Sequence, residues 1–217
     1  TRFPMVSYQH GTVYLKTEVP SFPDQSGETK LMIAQFAGQG YVLIGADYFG
    51  MGISTEPEGY GVKASLQQAS LDMLLAARSV LTQMGISTDK LFIGGWSEGG
   101  FVTMAFLERL EGAGVKVDGA ATASGPADIY SLLSGFLNFP RENDATWVNI
   151  LYVLSVFSFE DYCGVPGLAR SVIAEDDCDA AKRVYDRTSL EGDEVSTDLT
   201  KLIRPEYFDP QFFANSA

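Results

Sequence analysis

One stretch constrains this chain more than any other: Lys90-Leu91-Phe92-Ile93-Gly94-Gly95-Trp96-Ser97-Glu98-Gly99-Gly100. Leu91 to Ile93 is a short apolar run that reads as a buried strand. It breaks at glycine, presents one serine, and enters a helical pattern at Phe101, Met104, Ala105 and Leu107. The centre, Gly95-Trp96-Ser97-Glu98-Gly99, spells G-x-S-x-G. That spelling is common by chance, and the strand before it and the helix after it are what give it meaning. A serine at the tip of a strand needs a very tight turn into the next helix. Such a turn strains the serine backbone, and Gly95 and Gly99 leave room for the chain to pass close on both sides. The Glu98 N–H, at the start of the helix, is then placed to bind a developing oxyanion. A glycine-rich turn with an incidental serine would account for the glycines but not for Ser97 between them. Ser97 is the candidate nucleophile.

Upstream, Pro4 to Tyr8 reads as a strand that runs straight into Gln9-His10-Gly11-Thr12. A strand followed at once by His-Gly has the form of an oxyanion loop: Gly11 permits an unusual turn, and the Thr12 N–H can point at the site. Val13 to Ser26 carries Pro20 and Pro23 and reads as loop; Glu28 to Phe36 suits a short helix. Tyr41 to Ala46 is the next buried strand, nearly all apolar as covered parallel strands are. It ends in the turn Asp47-Tyr48-Phe49-Gly50-Met51-Gly52, where an aspartate ordinarily holds backbone N–H groups. Lys63 to Met84 gives the longest helical pattern, with Leu66, Ala69, Ser70, Met73, Leu74, Ala77, Val80 and Leu81 on one face. Val115 to Ser124 is a fourth strand, closed by Gly125-Pro126. Strands alternating with helices predict an α/β fold with a parallel sheet and right-handed crossovers.

After Pro126 the alternation stops. Residues 128–139, 146–159, 168–187 and 190–203 read as helical, and the stretch is rich in Phe, Leu and Tyr. These residues suit ordinary helical core, and a helical cap over the serine would use the same ones to line an acyl pocket. The expected division is a core over 1–126 and a helical cap over 127–217.

A net charge of −13 and a pI near 4.4 argue against nucleic acid or an anionic membrane as partner. The longest apolar run, Val148 to Phe157, is too short to span a bilayer. The two cysteines, Cys163 and Cys178, lie fifteen residues apart around Pro166-Gly167. A disulfide there would contribute about 3 kcal/mol by loop entropy; two unpaired thiols in a cytosolic enzyme are the alternative. A single histidine and this cysteine spacing predict no metal site.

The His-Gly loop, the Asp47 to Gly52 turn, the Trp96-Ser97-Glu98-Gly99-Gly100 elbow and Gly125-Pro126, in that series, resemble the α/β-hydrolase superfamily. Within it the chain is similar to secreted lipases and esterases with a helical lid after the sixth strand. The resemblance implies Ser97 as nucleophile and the backbone N–H groups of Glu98 and Thr12 as oxyanion donors. It implies carboxylic-ester substrates, an acyl-enzyme, no cofactor, and a secreted or periplasmic location. A peptidase of the same fold, or a non-catalytic binding protein, would share these motifs.

The family order is Ser, then an acid after the seventh strand, then a histidine after the eighth, and here the chain departs from it. Its one histidine, His10, lies in the oxyanion loop, far upstream of Ser97. Asp128 is the local candidate for the acid, and it equally suits a cap for the first lid helix. The first visible strand corresponds to the family's third. The expectation is therefore the central part of the fold, with further polypeptide supplying the remaining strands, the catalytic histidine and the acid.

Overall fold

The computed structural model describes residues 2–141, 144–188, 195–209 and 211–212. They form two compact units, Thr1–Glu56 with Lys63–Ala127, and Pro57–Val62 with Asp128–Ala217. A boundary at 126 keeps residues 57–62 with the core; the structure groups them with the helical unit.

The first unit is a four-stranded sheet of β1 (Arg2–Gln9), β2 (Val42–Gly45), β3 (Ser87–Trp96) and β4 (Gly119–Ala123), in the order β2-β1-β3-β4. Every pairing is parallel. Helices α1 (Gly27–Gln35), α2 (Lys63–Gln83) and α3 (Glu98–Gly112) make the connections between successive strands. Because side chains alternate along a strand, β1 and β3 send Met5, Leu91 and Ile93 to one face. There they are buried with Leu74 of α2 and Phe106 and Leu110 of α3. The opposite face carries Val6, Phe92, Trp96 and Ala121, which with α1 line an apolar trough of about 580 Å³.

Several boundaries differ from the sequence reading. β3 extends well before Leu91, because its polar first residues pair with Arg2 and Phe3 of β1, whatever side chains they carry. β4 is shorter than Val115 to Ser124; Val115 and Val117 instead pack on the core from the loop before it. On α2 the apolar face is buried at Leu66, Ala69, Ser70 and Leu74, whereas Val80 is 52% exposed.

The second unit holds α4 (Ile129–Asn138), α5 (Trp147–Cys163), α6 (Leu168–Val172), α7 (Cys178–Tyr185) and α8 (Leu199–Leu202). Its core closes around Val153, Leu154, Ile173, Leu202 and Ile203. The single helix expected over 168–187 is broken. Ile173 leaves the helix to bridge Ile203, and the Ala174 N–H donates to the Leu202 carbonyl at 2.7 Å. A 3₁₀ turn, Glu175–Asp177, then leads into α7. The helix expected over 190–203 is α8 alone among the described residues, of which 189–194 are not part.

The Cys163–Cys178 bridge is not formed. Cys163 is exposed at the end of α5, while Cys178 is buried at the start of α7 with its thiol directed to the Ile173 carbonyl at 3.6 Å. The break at Ile173 turns Cys178 inward, toward that carbonyl. Among the described residues, no helix is long and apolar enough to cross a membrane.

Candidate active site

Ser97 stands between β3 and α3 with φ 55° and ψ −125°. For a residue with a Cβ this lies outside every broadly allowed region, including the left-handed helical one, and costs on the order of 1–3 kcal/mol. The surroundings enforce it. The Ser97 N–H donates to the Ala123 carbonyl of β4 at 2.9 Å, and the Gly100 and Phe101 N–H groups return to the Ser97 carbonyl. The two glycines of the motif are where the chain is tightest. A Cβ on Gly95 would lie 2.5 Å from the Gly99 carbonyl oxygen, and one on Gly99 would lie 2.7 Å from the His10 oxygen. Both would also meet the Gln9 carbonyl, so the elbow is wedged against the end of β1.

That end of β1 is the His10-Gly11-Thr12 loop. Gln9 is fully buried, its amide donating to the Ser7 hydroxyl at 3.0 Å and its Oε1 accepting from the Ser70 hydroxyl of α2 at 3.1 Å. His10 is buried too, stacked on the Tyr48 ring at 4.1 Å between centroids. A carbonyl can only accept, so His10 Nδ1–H donates to the Gly11 oxygen at 2.8 Å; Nε2 faces the Asp47 carbonyl at 3.2 Å. With both ring nitrogens directed at main-chain carbonyls, His10 is arranged as a brace for the loop. The Tyr48 hydroxyl in turn donates to the His10 carbonyl at 3.1 Å. Burial, with Glu98 and Glu28 nearby, raises the Tyr48 phenol well above its ordinary pKa and keeps it a donor. Asp47 accepts from the Ser21 N–H and hydroxyl, the structural role its turn predicts.

Glu28 is a loop partner that no local sequence pattern indicates. Its carboxylate accepts the Gly11 N–H, with N···O distances of 3.3 and 3.2 Å. A glutamate in the first turn of a helix reads as a partner for the helix dipole, and a contact seventeen residues back along the chain leaves no local trace. Ser26 followed by Thr29, an N-cap pattern, signals the start of the helix and not this contact.

Glu98 opens α3 and is buried. Asp128, the weak candidate acid, is the N-cap of α4. It accepts the Tyr130 N–H at 3.0 Å and the Ser131 hydroxyl at 2.6 Å, and the Ser131 bond is the main reason its carboxyl sits below the usual range. Among the described residues, no cluster of three or more His, Cys, Asp or Glu side chains could hold a metal ion.

The parallel sheet, the strained serine and the wedged glycines define an α/β-hydrolase fold, and known structures agree. A hydrolase candidate from Legionella pneumophila superposes with a TM-score of 0.85 at 21% identity, covering 99% of this chain and 60% of its own. LipA, a rice cell wall degrading esterase from Xanthomonas oryzae, gives 0.78 at 23% identity, with 99% and 59% covered. Candida antarctica lipase A in its closed state gives 0.64 at 14% identity, with 98% and 50% covered. The chain thus spans about 60% of the length of the first two. No family model matches the sequence, and no curated protein matches it either.

Proposed function

We propose that this chain is the central part of a serine hydrolase that cleaves carboxylic esters through an acyl-enzyme. The observation that carries the reading is the Ser97 backbone, held at φ 55° and ψ −125° by glycines that admit no side chain. Strain of this kind persists only where the surroundings over-determine it, and at a serine beside a helix N-terminus its use is to present a nucleophile. In this reading Ser97 attacks the ester carbonyl. The N–H groups of Glu98 and Thr12 bind the tetrahedral oxyanion, each worth roughly 3–4 kcal/mol. Gly11 and His10 shape the loop that carries Thr12.

The base and the acid come from further polypeptide of the same enzyme. His10 is committed to main-chain carbonyls and Asp128 to a helix cap, which leaves neither well suited to the triad. The same polypeptide would continue the sheet. Among the described residues β2 and β4 each pair on one side only, and bare parallel edges invite pairing. The neighbours' esterase and lipase activities favour a small ester over a peptide as substrate. A secreted or periplasmic location rests on the resemblance alone, since the cysteines are unbridged.

The test is labelling of the full-length protein with a fluorophosphonate, followed by mapping of the adduct and turnover of p-nitrophenyl esters against aminoacyl anilides. Rapid labelling confined to Ser97 with ester turnover is expected. A wild-type serine that stays unlabelled over hours makes the protein a binder, and anilide turnover exceeding ester turnover makes it a peptidase.

A further inference from the structure

Thr12 can stabilise an oxyanion only if its N–H is aimed, and a loop does not aim itself. Two peptide planes decide the direction. All peptides among the described residues are trans, so within each plane the C=O and N–H point opposite ways. In the Gly11–Thr12 plane the carbonyl is held by His10 Nδ1, which sends the Thr12 N–H the other way. In the His10–Gly11 plane the carbonyl accepts from Tyr48 and the N–H donates to Glu28. Tyr48 and Glu28 therefore pin the two ends of one plane, and His10 pins the next.

Glu28 is itself fixed by a relay that starts on β1. The Tyr8 hydroxyl, 2% exposed as a residue, shares a 2.5 Å hydrogen bond with Thr29 Oγ1. Thr29 donates to the Ser26 hydroxyl twice, from Oγ1 at 2.8 Å and from its N–H at 3.1 Å. This anchors the first turn of α1 beside the strand end, and Glu28, one residue before Thr29, meets Gly11. Burial raises the Tyr8 phenol above its ordinary pKa, with Glu28 adding to the effect, so the relay keeps its first proton.

We propose that Glu28 is a positioning residue for the oxyanion loop: by holding the Gly11 N–H it fixes the His10–Gly11 peptide plane, from which the next plane carries the Thr12 donor. This rests on the serine hydrolase reading above. The role calls for an acceptor at this position rather than for a charge, which separates it from a long-range electrostatic effect.

The experiment compares Glu28→Ala and Glu28→Gln in the full-length protein by two measurements. The first is ester hydrolysis, resolved into kcat and KM. Glu28→Ala is expected to lower kcat by about tenfold or more with little change in KM, and Glu28→Gln to stay within about threefold of wild type. The second is the NMR shift of the Gly11 amide proton, read with isotope-labelled glycine. In wild type it should lie downfield; Glu28→Gln, which keeps an acceptor, should leave it downfield, and Glu28→Ala should move it upfield. An unchanged kcat in Glu28→Ala, an equal loss in both variants, or a Gly11 shift indifferent to residue 28 would overturn the proposal. If wild type hydrolyses no ester, the hydrolase reading falls and the oxyanion role falls with it. The Gly11 shift then still decides whether Glu28 holds that amide.

Discussion

Gly100 and Gly125 meet backbone to backbone: a Cβ on Gly100 would lie 2.8 Å from the Gly125 Cα, and one on Gly125 would lie 2.6 Å from the Gly100 carbonyl carbon. The first turn of α3 and the chain leaving β4 are packed with no space for a methyl group. This contact lets the Ser97 N–H reach the Ala123 carbonyl at 2.9 Å. Neither partner is a flexible side chain that could move aside. Gly100→Ala should therefore destabilise by about 1–3 kcal/mol, the range for overpacking a close contact. Urea unfolding of the variant against wild type measures it. A midpoint unchanged within error would mean that the elbow has slack.

Ser97 offers a separation of strain from chemistry. Ser97→Ala keeps the Cβ and hence the strained backbone, whereas Ser97→Gly removes the Cβ. Both should abolish ester hydrolysis, by about 10⁴-fold or more in the complete enzyme. Ser97→Gly should be the more stable of the two by about 1 kcal/mol, since relief of strain outweighs the entropy that glycine adds to the unfolded chain. Equal thermal midpoints for the two variants would show that the conformation costs little.

How much of this could be read from the sequence follows from how local each feature is. The elbow was legible because strand, glycine, serine and helix occupy eleven consecutive residues, Lys90 to Gly100. The His10-Gly11 loop was legible for the same reason. The Glu28 contact was not, because it joins a helix start to a strand end across a loop whose path has no periodic signal. The broken helix over 168–187 was hidden by apolar spacing that suits a helix. What breaks it is Ile173 bridging Ile203 from thirty residues away. The cysteine spacing fitted a bridge, but spacing alone does not say which way a side chain faces.

The cysteines give a direct test of that correction. Thiol titration of unreduced, unfolded protein should find two groups. In the folded protein Cys163 should react quickly and Cys178 slowly, because one is exposed and the other is buried. Burial raises the Cys178 thiol above its ordinary value. With the folded-state pKa above the unfolded one, its contribution to stability is fully present below the unfolded value. That contribution is lost as pH rises through the folded one. Cys178→Ser should lessen any loss of stability on the alkaline side. Neither of these two thiols reacting in the unfolded, unreduced protein would restore the bridge.

The last prediction concerns Arg187 and Glu58, an ion pair inside the helical unit. Arg187 Nη2 lies 2.6 Å from Glu58 Oε1 and Nε lies 3.0 Å from Oε2, a two-pronged contact. The side chains are only 2% and 9% exposed. Glu58 belongs to the Pro57–Val62 segment, and the second unit grips that segment at several points. The Ser158 and Tyr185 hydroxyls both donate to the Glu58 carbonyl at 2.8 Å, and the Tyr162 hydroxyl donates to the Pro57 carbonyl at 2.9 Å. Arg187 takes a left-handed backbone, φ 57°, so its placement already carries strain. Arg187→Met leaves the Glu58 carboxylate buried without its cation, which should cost about 3–5 kcal/mol. Replacing both residues by apolar ones of similar volume, Glu58→Leu with Arg187→Met, should recover most of that loss, because the desolvation penalty disappears with the charge. Denaturant midpoints for the two single variants and the double variant form a cycle that isolates the pair. A double variant as unstable as the sum of the singles would mean that the ion pair does not join the segment to the helices. The carbonyl bonds from α5 and α7 would then carry that role.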